Sequence, residues 1–215
     1  MVERALILGG GGFIGSHLAA RHAAAGDEVV VGVRHGRTGA LPPWIEGLRI
    51  RPVDLGDTEQ IEDLFAMARP TLVYHLATAT AQTSDHLRDP FKPSWLTDLH
   101  NLIRLLEVAS RYQPEIKAFV RAGTLAEYGN ATAPSREDER EAPATLHGTA
   151  QVAATHYLSL VARHLPFRAY SARLGLTYGP GQKRGFLVAD LIQHCLAGQP
   201  FHVREPSGRR DMIHV

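Results

Sequence analysis

Apolar and polar positions along the chain follow two alternating patterns. Short β-branched runs predict strands at Ala5–Leu8, Glu28–Val33, Arg49–Val53, Thr71–Leu76, Ala118–Ala122 and Arg168–Leu174. Longer segments with apolar residues at helical spacing predict helices at Ile14–Ala25, Thr58–Ala68, Trp95–Tyr112, Ala142–His164 and Phe186–Ala197. Strands that alternate with helices are typical of a parallel sheet with helices on both faces. The pattern therefore predicts an α/β fold with a doubly wound parallel sheet.

The turn between the first predicted strand and helix is rich in glycine. Gly10, Gly12 and Gly15 form a GxGxxG motif, and Gly9 adds the looser GxxGxxG spacing. Glycine lets the backbone approach a pyrophosphate closely, and the following helix offers N–H donors and the positive end of its dipole. The motif predicts a Rossmann-type site, with cofactor contacts at Gly9, Gly12, Phe13, Ile14 and Gly15. The alternative is a flexible glycine-rich turn without a ligand.

The end of the second predicted strand indicates which dinucleotide is bound. An Asp or Glu there would bind the 2′-hydroxyl of the NAD ribose. The strand instead runs into Arg34 and Arg37, without an acid. Guanidinium groups pair well with phosphate, so the sequence predicts NADP, with NAD as the alternative. The other interpretation is that both arginines are solvated loop residues that bind no cofactor.

Composition narrows the function classes. The 215 residues carry a net charge of +1, so no basic surplus indicates a nucleic-acid or anionic-membrane partner. The single cysteine, Cys195, excludes an internal disulfide. It lies on an apolar helical segment, and we expect its side chain to pack in the protein core. The chain has no leader-like start and no apolar run near the roughly 18 residues that span a bilayer, so we expect a cytoplasmic protein. No histidine pair has metal-binding spacing, and we predict no metal site.

Several segments, taken together and in order, resemble one family. They are Gly9–Leu18, Val53–Asp57, Val73–Thr78, Ala122–Gly129, Arg173–Gly181 and Arg210–Val215. With these, essentially the whole chain resembles the extended short-chain dehydrogenase/reductases, specifically the NAD-dependent epimerase/dehydratase branch that modifies nucleotide sugars. The family continues beyond the last segment. The resemblance therefore implies a truncated chain, with a cofactor-binding domain at 1–174 and a partial substrate-binding lobe at 175–215.

The resemblance also implies contacts for the ligands. Asp54 and Leu55 match residues at the adenine, and the segment Leu76, Ala77 and Thr78 matches a strand end beside the cofactor. The expected substrate is a nucleotide sugar. Its predicted contacts are Thr124, Arg184 and Arg210. Family members often dimerise through two long helices, which correspond here to 95–112 and 142–164. Whether the apolar face Leu99, Ile103 and Leu106 belongs to that interface or to the core stays open.

The catalytic positions depart from the family pattern. The family uses a Ser or Thr, then a Tyr and a Lys four residues apart on one helix. Thr124 matches the first, but His147 stands at the Tyr position and Gln151 at the Lys position. Imidazole can move a proton near neutral pH, and an amide can bind a ribose hydroxyl but brings no charge. The alternative is that the chemistry is lost and only cofactor binding remains.

Two functions therefore stay open. The first is an NADP-dependent nucleotide-sugar epimerase or ketoreductase in which Thr124, His147 and Gln151 form the catalytic group. The second is a catalytically impaired NADP(H)-binding protein that acts as a sensor or partner-binding module. Dehydration is disfavoured, because Leu125 and Ala126 stand where the family's dehydratases carry an Asp-Glu pair. We expect Tyr128 to be structural, as its family counterpart is.

Overall fold

The computed structural model describes residues 2–35, 41–78, 94–112, 115–131, 134–203, 207–208 and 211–215. Two predicted ligand contacts, Arg37 and Arg210, lie outside these described residues. The chain divides into two compact units, residues 1–173 and residues 174–215. The predicted roles of the two parts, cofactor binding and substrate binding, stay predictions.

A six-stranded sheet forms the larger unit, in the order β3-β2-β1-β4-β5-β6. Its strands are β1 Arg4–Leu8, β2 Glu28–Val33, β3 Arg49–Pro52, β4 Leu72–His75, β5 Ala118–Thr124 and β6 Arg168–Leu174. The pairs of β1 with β2, β1 with β4, β2 with β3 and β4 with β5 are all parallel. The predicted strands are confirmed, with ends that differ by no more than two residues. Together with the helices on both faces, this confirms the Rossmann-type fold.

The helices are α1 Phe13–Ala24, α2 Thr58–Ala68, α3 Ser94–Arg111, α4 Leu146–Val161 and α5 Leu187–Leu196. The helix α2 begins as predicted, because the Asp57 carboxylate accepts hydrogen bonds from the backbone N–H groups of Glu59 and Gln60. The prediction for α4 was too long. It begins only after Thr145, whose hydroxyl oxygen accepts from the Gly148 N–H. Within the described residues, none of these helices has the length and apolar character needed to cross a membrane.

Two apolar layers cover the faces of this sheet. On one face, strand residues such as Leu6, Leu8 and Phe119 pack with the buried sides of α2, α3 and α4. On the other face, Ile7 and Val31 pack with α1 and with a short 3₁₀ helix at Pro43–Ile45. The face of α3 that was left open between interface and core contributes to the first layer. Leu106 is buried in it and Leu99 packs against it.

The smaller unit contains α5 and a two-stranded parallel sheet. Strand β7, Leu176–Tyr178, pairs with β8, Met212–His214. The expectation that Cys195 fills a core is wrong, because its side chain is exposed. The physical reason is that no residue of α5 is buried in the part of the chain that the structure describes. Apolar spacing alone predicted the helix correctly but not its burial.

Candidate functional site

The candidate site lies at the carboxyl edge of the sheet, where the connections change direction. From β1 the chain builds β2 and β3 on one side, and then β4 and β5 on the other. Ligands of open α/β sheets bind in the crevice that such a switch point creates. Residues that follow the carboxyl ends of these strands therefore share one edge. They are Gly9 after β1, Arg34 after β2, Asp54 after β3, Leu76 after β4 and Thr124 at the end of β5.

Gly9 closes the space between β1 and β4. Its backbone has φ +82°, and an added Cβ would lie 2.7 Å from the backbone nitrogen of Ala77. Its N–H donates to the carbonyl of Gly32 over 2.9 Å, which ties the loop to β2. A side chain at this position would meet both conformational strain and a backbone clash. Glycine is therefore required here by geometry.

The first turn of α1 faces this edge without a side-chain cap. Its N-cap is Gly12, which makes no side-chain hydrogen bond, and the first turn carries no acidic residue. Phe13 and Ile14 are partly buried, whereas Gly15 is buried. The N–H groups and the positive dipole end therefore stay open to an anion. These residues fit the pyrophosphate of a dinucleotide.

Three predicted contacts lie on the side of β2 and β3. Arg34 is exposed at the end of β2. Asp54 is also exposed, and its carboxylate accepts a hydrogen bond of 2.8 Å from the Gly56 N–H. Leu55 is buried and belongs to the core. Arg34 and Asp54 can thus reach a ligand, whereas Leu55 mainly supports the loop that carries Asp54.

The other predicted contacts lie on the side of β4 and β5. Leu76 and Ala77 are partly buried, and Thr78 is exposed. Thr124 is partly buried, and its hydroxyl oxygen accepts from the Ala126 N–H at 3.2 Å. That bond caps a short 3₁₀ helix, Leu125–Glu127. Because the Thr124 oxygen accepts this bond, its hydroxyl hydrogen can still be donated to a ligand.

His147 and Gln151 lie one turn apart at the start of α4. Gly148 lets this end of the helix approach the turn after β5 closely, since an added Cβ would lie 2.5 Å from the Ala126 carbonyl oxygen. The His147 side chain is exposed. Partial desolvation by the surrounding protein lowers the pKa of its imidazole, although Asp98 opposes this shift. The lowered pKa favours the neutral imidazole, which can accept a proton.

Gln151 is buried and bound to a residue that the sequence analysis missed. Its side-chain oxygen accepts a hydrogen bond from the guanidinium of Arg121, which is 3% exposed. Arg121 also donates to the hydroxyl oxygens of Thr155 and Ser171, over 3.1 and 3.2 Å. The signal was present in the strand pattern, where a charged Arg121 occupies an inward register between Phe119 and Gly123.

A buried ion pair that the sequence analysis also missed lies beneath the same turn. Glu127 is fully buried and accepts from Arg173 Nε at 2.8 Å. Arg173 also donates to the Tyr128 hydroxyl at 2.7 Å and lies 4.8 Å from the centre of that ring. Tyr128 is 4% exposed. These contacts agree with the expectation that Tyr128 is structural.

His75, at the end of β4, is a buried histidine in register with Arg121 on β5. It is 5% exposed, and neither ring nitrogen has a hydrogen-bond partner in the described part of the chain. Burial lowers the pKa of this imidazole to about 3, and the nearby Arg121 charge adds to the effect. His75 therefore stays neutral at physiological pH.

The remaining predictions concern a substrate contact at Arg184 and the presence of a metal site. Arg184 is exposed in the smaller unit, in the segment that precedes α5. Among the described residues, no group of three or more His, Cys, Asp or Glu side chains is placed to hold a metal ion.

Comparison with known proteins places these features in a family. The sequence model of the NAD dependent epimerase/dehydratase family matches residues 5–215. A UDP-glucose 4-epimerase of Lacticaseibacillus casei is 29% identical over 150 residues, which cover 68% of this chain and 43% of that protein. The chain spans about half the length of the curated relatives that it matches.

Solved structures share the fold. The UDP-glucose 4-epimerase of Thermotoga maritima, solved with UDP-glucose, has a TM-score of 0.84 and 26% identity, over 98% of this chain and 69% of its own. The UDP-glucose 4-epimerase of Thermus thermophilus, solved with NAD, has a TM-score of 0.78 and 30% identity, over 98% of this chain and 70% of its own.

Proposed function

Because the chain belongs to the NAD dependent epimerase/dehydratase family, as its motifs predicted, we propose that it binds a nicotinamide dinucleotide and epimerises a nucleotide-linked sugar. The observation that carries this proposal is the crevice between β1 and β4. The Gly9 backbone, the uncapped N-terminus of α1 and the start of α4 all lie at the carboxyl edge of the sheet. UDP-sugar 4-epimerases among the relatives support epimerisation over ketone reduction, which stays the alternative reaction.

Cofactor binding divides between the two sides of the switch point. The open N-terminus of α1 binds the pyrophosphate, and Asp54 on the β3 side contacts the adenosine half. Leu76, Ala77 and Thr78 line the other half, beside β4. When bound, the nicotinamide supplies a hydride acceptor and donor.

Proton transfer falls to His147. Thr124 donates its hydroxyl hydrogen to the reacting sugar oxygen and thereby orients it. The neutral imidazole of His147 takes the proton of that hydroxyl as a hydride leaves the same carbon. Delivery of a hydride to the opposite face of the carbonyl carbon, with return of the proton from His147 to the carbonyl oxygen, would give the epimer. Gln151 donates its amide hydrogens to a ribose hydroxyl. The diphosphate contacts of Arg184 and Arg210 stay predictions from the sequence motifs.

The choice between the two dinucleotides depends on Arg34 and Arg37. The absence of an acid after β2 supports NADP, and Arg34 is exposed there. The Thermus thermophilus neighbour was solved with NAD, which supports the alternative. Calorimetric titrations with both cofactors distinguish them. NADP preference requires the lower dissociation constant for NADP and its loss in Arg34→Ala.

A second function is favoured by one observation. The side chains at the family's Tyr and Lys positions are His147 and Gln151, and the Gln151 oxygen is taken by Arg121. A protein that binds the dinucleotide and senses it, or recruits a partner, needs no proton transfer at this helix. It would bind cofactor tightly and convert no nucleotide sugar.

One experiment separates the two functions. The chain is saturated with NAD or NADP and incubated with a panel of UDP-, dTDP- and GDP-sugars, and the products are resolved by chromatography. Formation of an epimer supports the enzyme. Tight cofactor binding with no product from any sugar supports the binding protein. Failure to bind either dinucleotide contradicts both.

A further inference from the structure

Arg121 is a buried cation whose hydrogen bonds go to neutral oxygens. They reach the Gln151 side chain and the hydroxyls of Thr155 and Ser171. Burial lowers the pKa of the guanidinium, and the through-space attraction of Glu127 and Asp98 opposes that effect. Removing a guanidinium from water costs free energy. We therefore expect Arg121 to have a role other than filling space in the core.

The contact with Arg121 determines how the Gln151 amide is oriented. A guanidinium has only donors, so the amide oxygen must face Arg121 and the amide nitrogen must face away. Within the described residues, the Gln151 Nε2 donates to no acceptor. It is also not among the fully buried unpaired atoms. The contact therefore presents two N–H donors that no described protein group uses.

The location of Gln151 indicates what those donors meet. Residues 147 and 151 lie one turn apart on α4, so they share a face. Gly148 brings that helix end against the turn after β5. Since β2 and β3 lie on the adenosine side of the switch point, the second half of a bound dinucleotide extends over β4 and β5.

We propose that Arg121 is a positioning residue that holds the Gln151 amide with its N–H donors toward the ribose of the nicotinamide half. This inference rests on the proposed function, because it requires a bound dinucleotide. It explains how the site keeps an oriented donor at a position without an ammonium group. The cation is supplied from β5, one layer below α4, and acts through the amide.

The decisive variant is Gln151→Glu. A carboxylate keeps the contact with Arg121, and a bidentate pair with the guanidinium would engage both of its oxygens, so it offers the ribose no N–H donor. We measure the binding of NAD and of ADP by calorimetry. ADP lacks the second ribose and serves as the internal reference. We expect NAD affinity to fall about tenfold or more, the effect of losing one or two hydrogen bonds, while ADP affinity stays within about twofold.

Arg121 itself is tested through the same ratio. Arg121→Lys keeps a buried cation but loses the fork that holds the amide. It should lower the NAD-to-ADP affinity ratio in the same direction as Gln151→Glu. Thr155→Val is the matched control, because it removes another partner of Arg121 and leaves Gln151 intact. Its ratio should equal that of the unchanged protein.

The outcomes are separable. An unchanged NAD-to-ADP ratio in folded Gln151→Glu overturns the inference and leaves the proposed function standing. An equal loss of NAD and ADP binding also overturns it, because the effect would then not concern the second ribose. Binding of neither NAD nor NADP by the unchanged protein overturns the inference together with the proposed function.

Discussion

The N-termini of α1 and α4 face the same edge of the sheet but are built in different ways. The first turn of α1 is capped by no side chain, and its approach to β4 depends on backbone geometry at Gly9. The first turn of α4 is closed by the Thr145 hydroxyl, and what it offers comes from His147 and Gln151. A site made of backbone needs little beyond glycine. A site made of side chains depends on their neighbours, as Gln151 depends on Arg121.

The largest expected effect comes from a substitution in the glycine loop before α1, where the site depends on backbone geometry. Gly9→Ala places a Cβ 2.7 Å from the Ala77 nitrogen at φ +82°. Positive-φ strain and overpacking together should cost about 4 kcal/mol of stability and abolish dinucleotide binding. Urea denaturation and calorimetry measure the two effects.

Gly26→Ala is the matched control for that change. Gly26 has φ +83°, but an added Cβ meets nothing within 4 Å. Only the strain of about 1–2 kcal/mol should appear, with cofactor affinity unchanged. Equal losses in the two variants would show that close approach to β4 is not what Gly9 provides.

The next largest effect is expected from a substitution at the start of α4, where the site depends on side chains. Gln151→Lys restores the family residue but places an ammonium against the buried Arg121 guanidinium. We expect a loss of about 3 kcal/mol in unfolding free energy, because two buried like charges replace a hydrogen-bonded pair. The double variant with Arg121→Met should recover most of it. Additive losses in this cycle would contradict direct coupling of the two residues.

His75 lies in β4, between the two regions, and makes the stability of the fold depend on pH. Its pKa falls from 6.5 to about 3 on folding, so below about pH 6.5 the unfolded chain takes up a proton that the folded chain refuses. The free energy of unfolding should therefore decrease as the pH is lowered below about 6.5, by up to about 1.4 kcal/mol per pH unit. His75→Leu should remove this slope in denaturation curves recorded from pH 7 to pH 5. Parallel curves for the two proteins would refute it.

The smallest effect concerns the cap that distinguishes the two helices. Thr145→Ala removes the side-chain acceptor for the Gly148 N–H, which lies 3.0 Å from the hydroxyl oxygen. The expected cost is about 1 kcal/mol in thermal or urea denaturation. Thr149→Ala is a suitable comparison, since its hydroxyl only donates back to the Thr145 carbonyl. A loss at position 149 as large as at 145 would mean that the cap is not the source.

The same contrast explains which features could be predicted from the sequence. The glycine loop and the strand patterns are local, so β2, β6 and α2 were predicted with their observed bounds. The contact between Arg121 and Gln151 joins residues that are far apart in sequence, so spacing could not reveal it. Burial of α5 was wrongly expected at Cys195, because periodicity shows that a helix has an apolar face but not what covers it.

We propose above that the start of α4 performs proton transfer beside the dinucleotide that the α1 loop binds. The direct measurement is the rate at which the cofactor-saturated chain forms the 4-epimer of a UDP-sugar, compared with His147→Ala. We predict turnover in the unchanged protein and a rate at least about 100-fold lower in the variant, with the cofactor dissociation constant unchanged. Equal rates in the two proteins would contradict the role of His147.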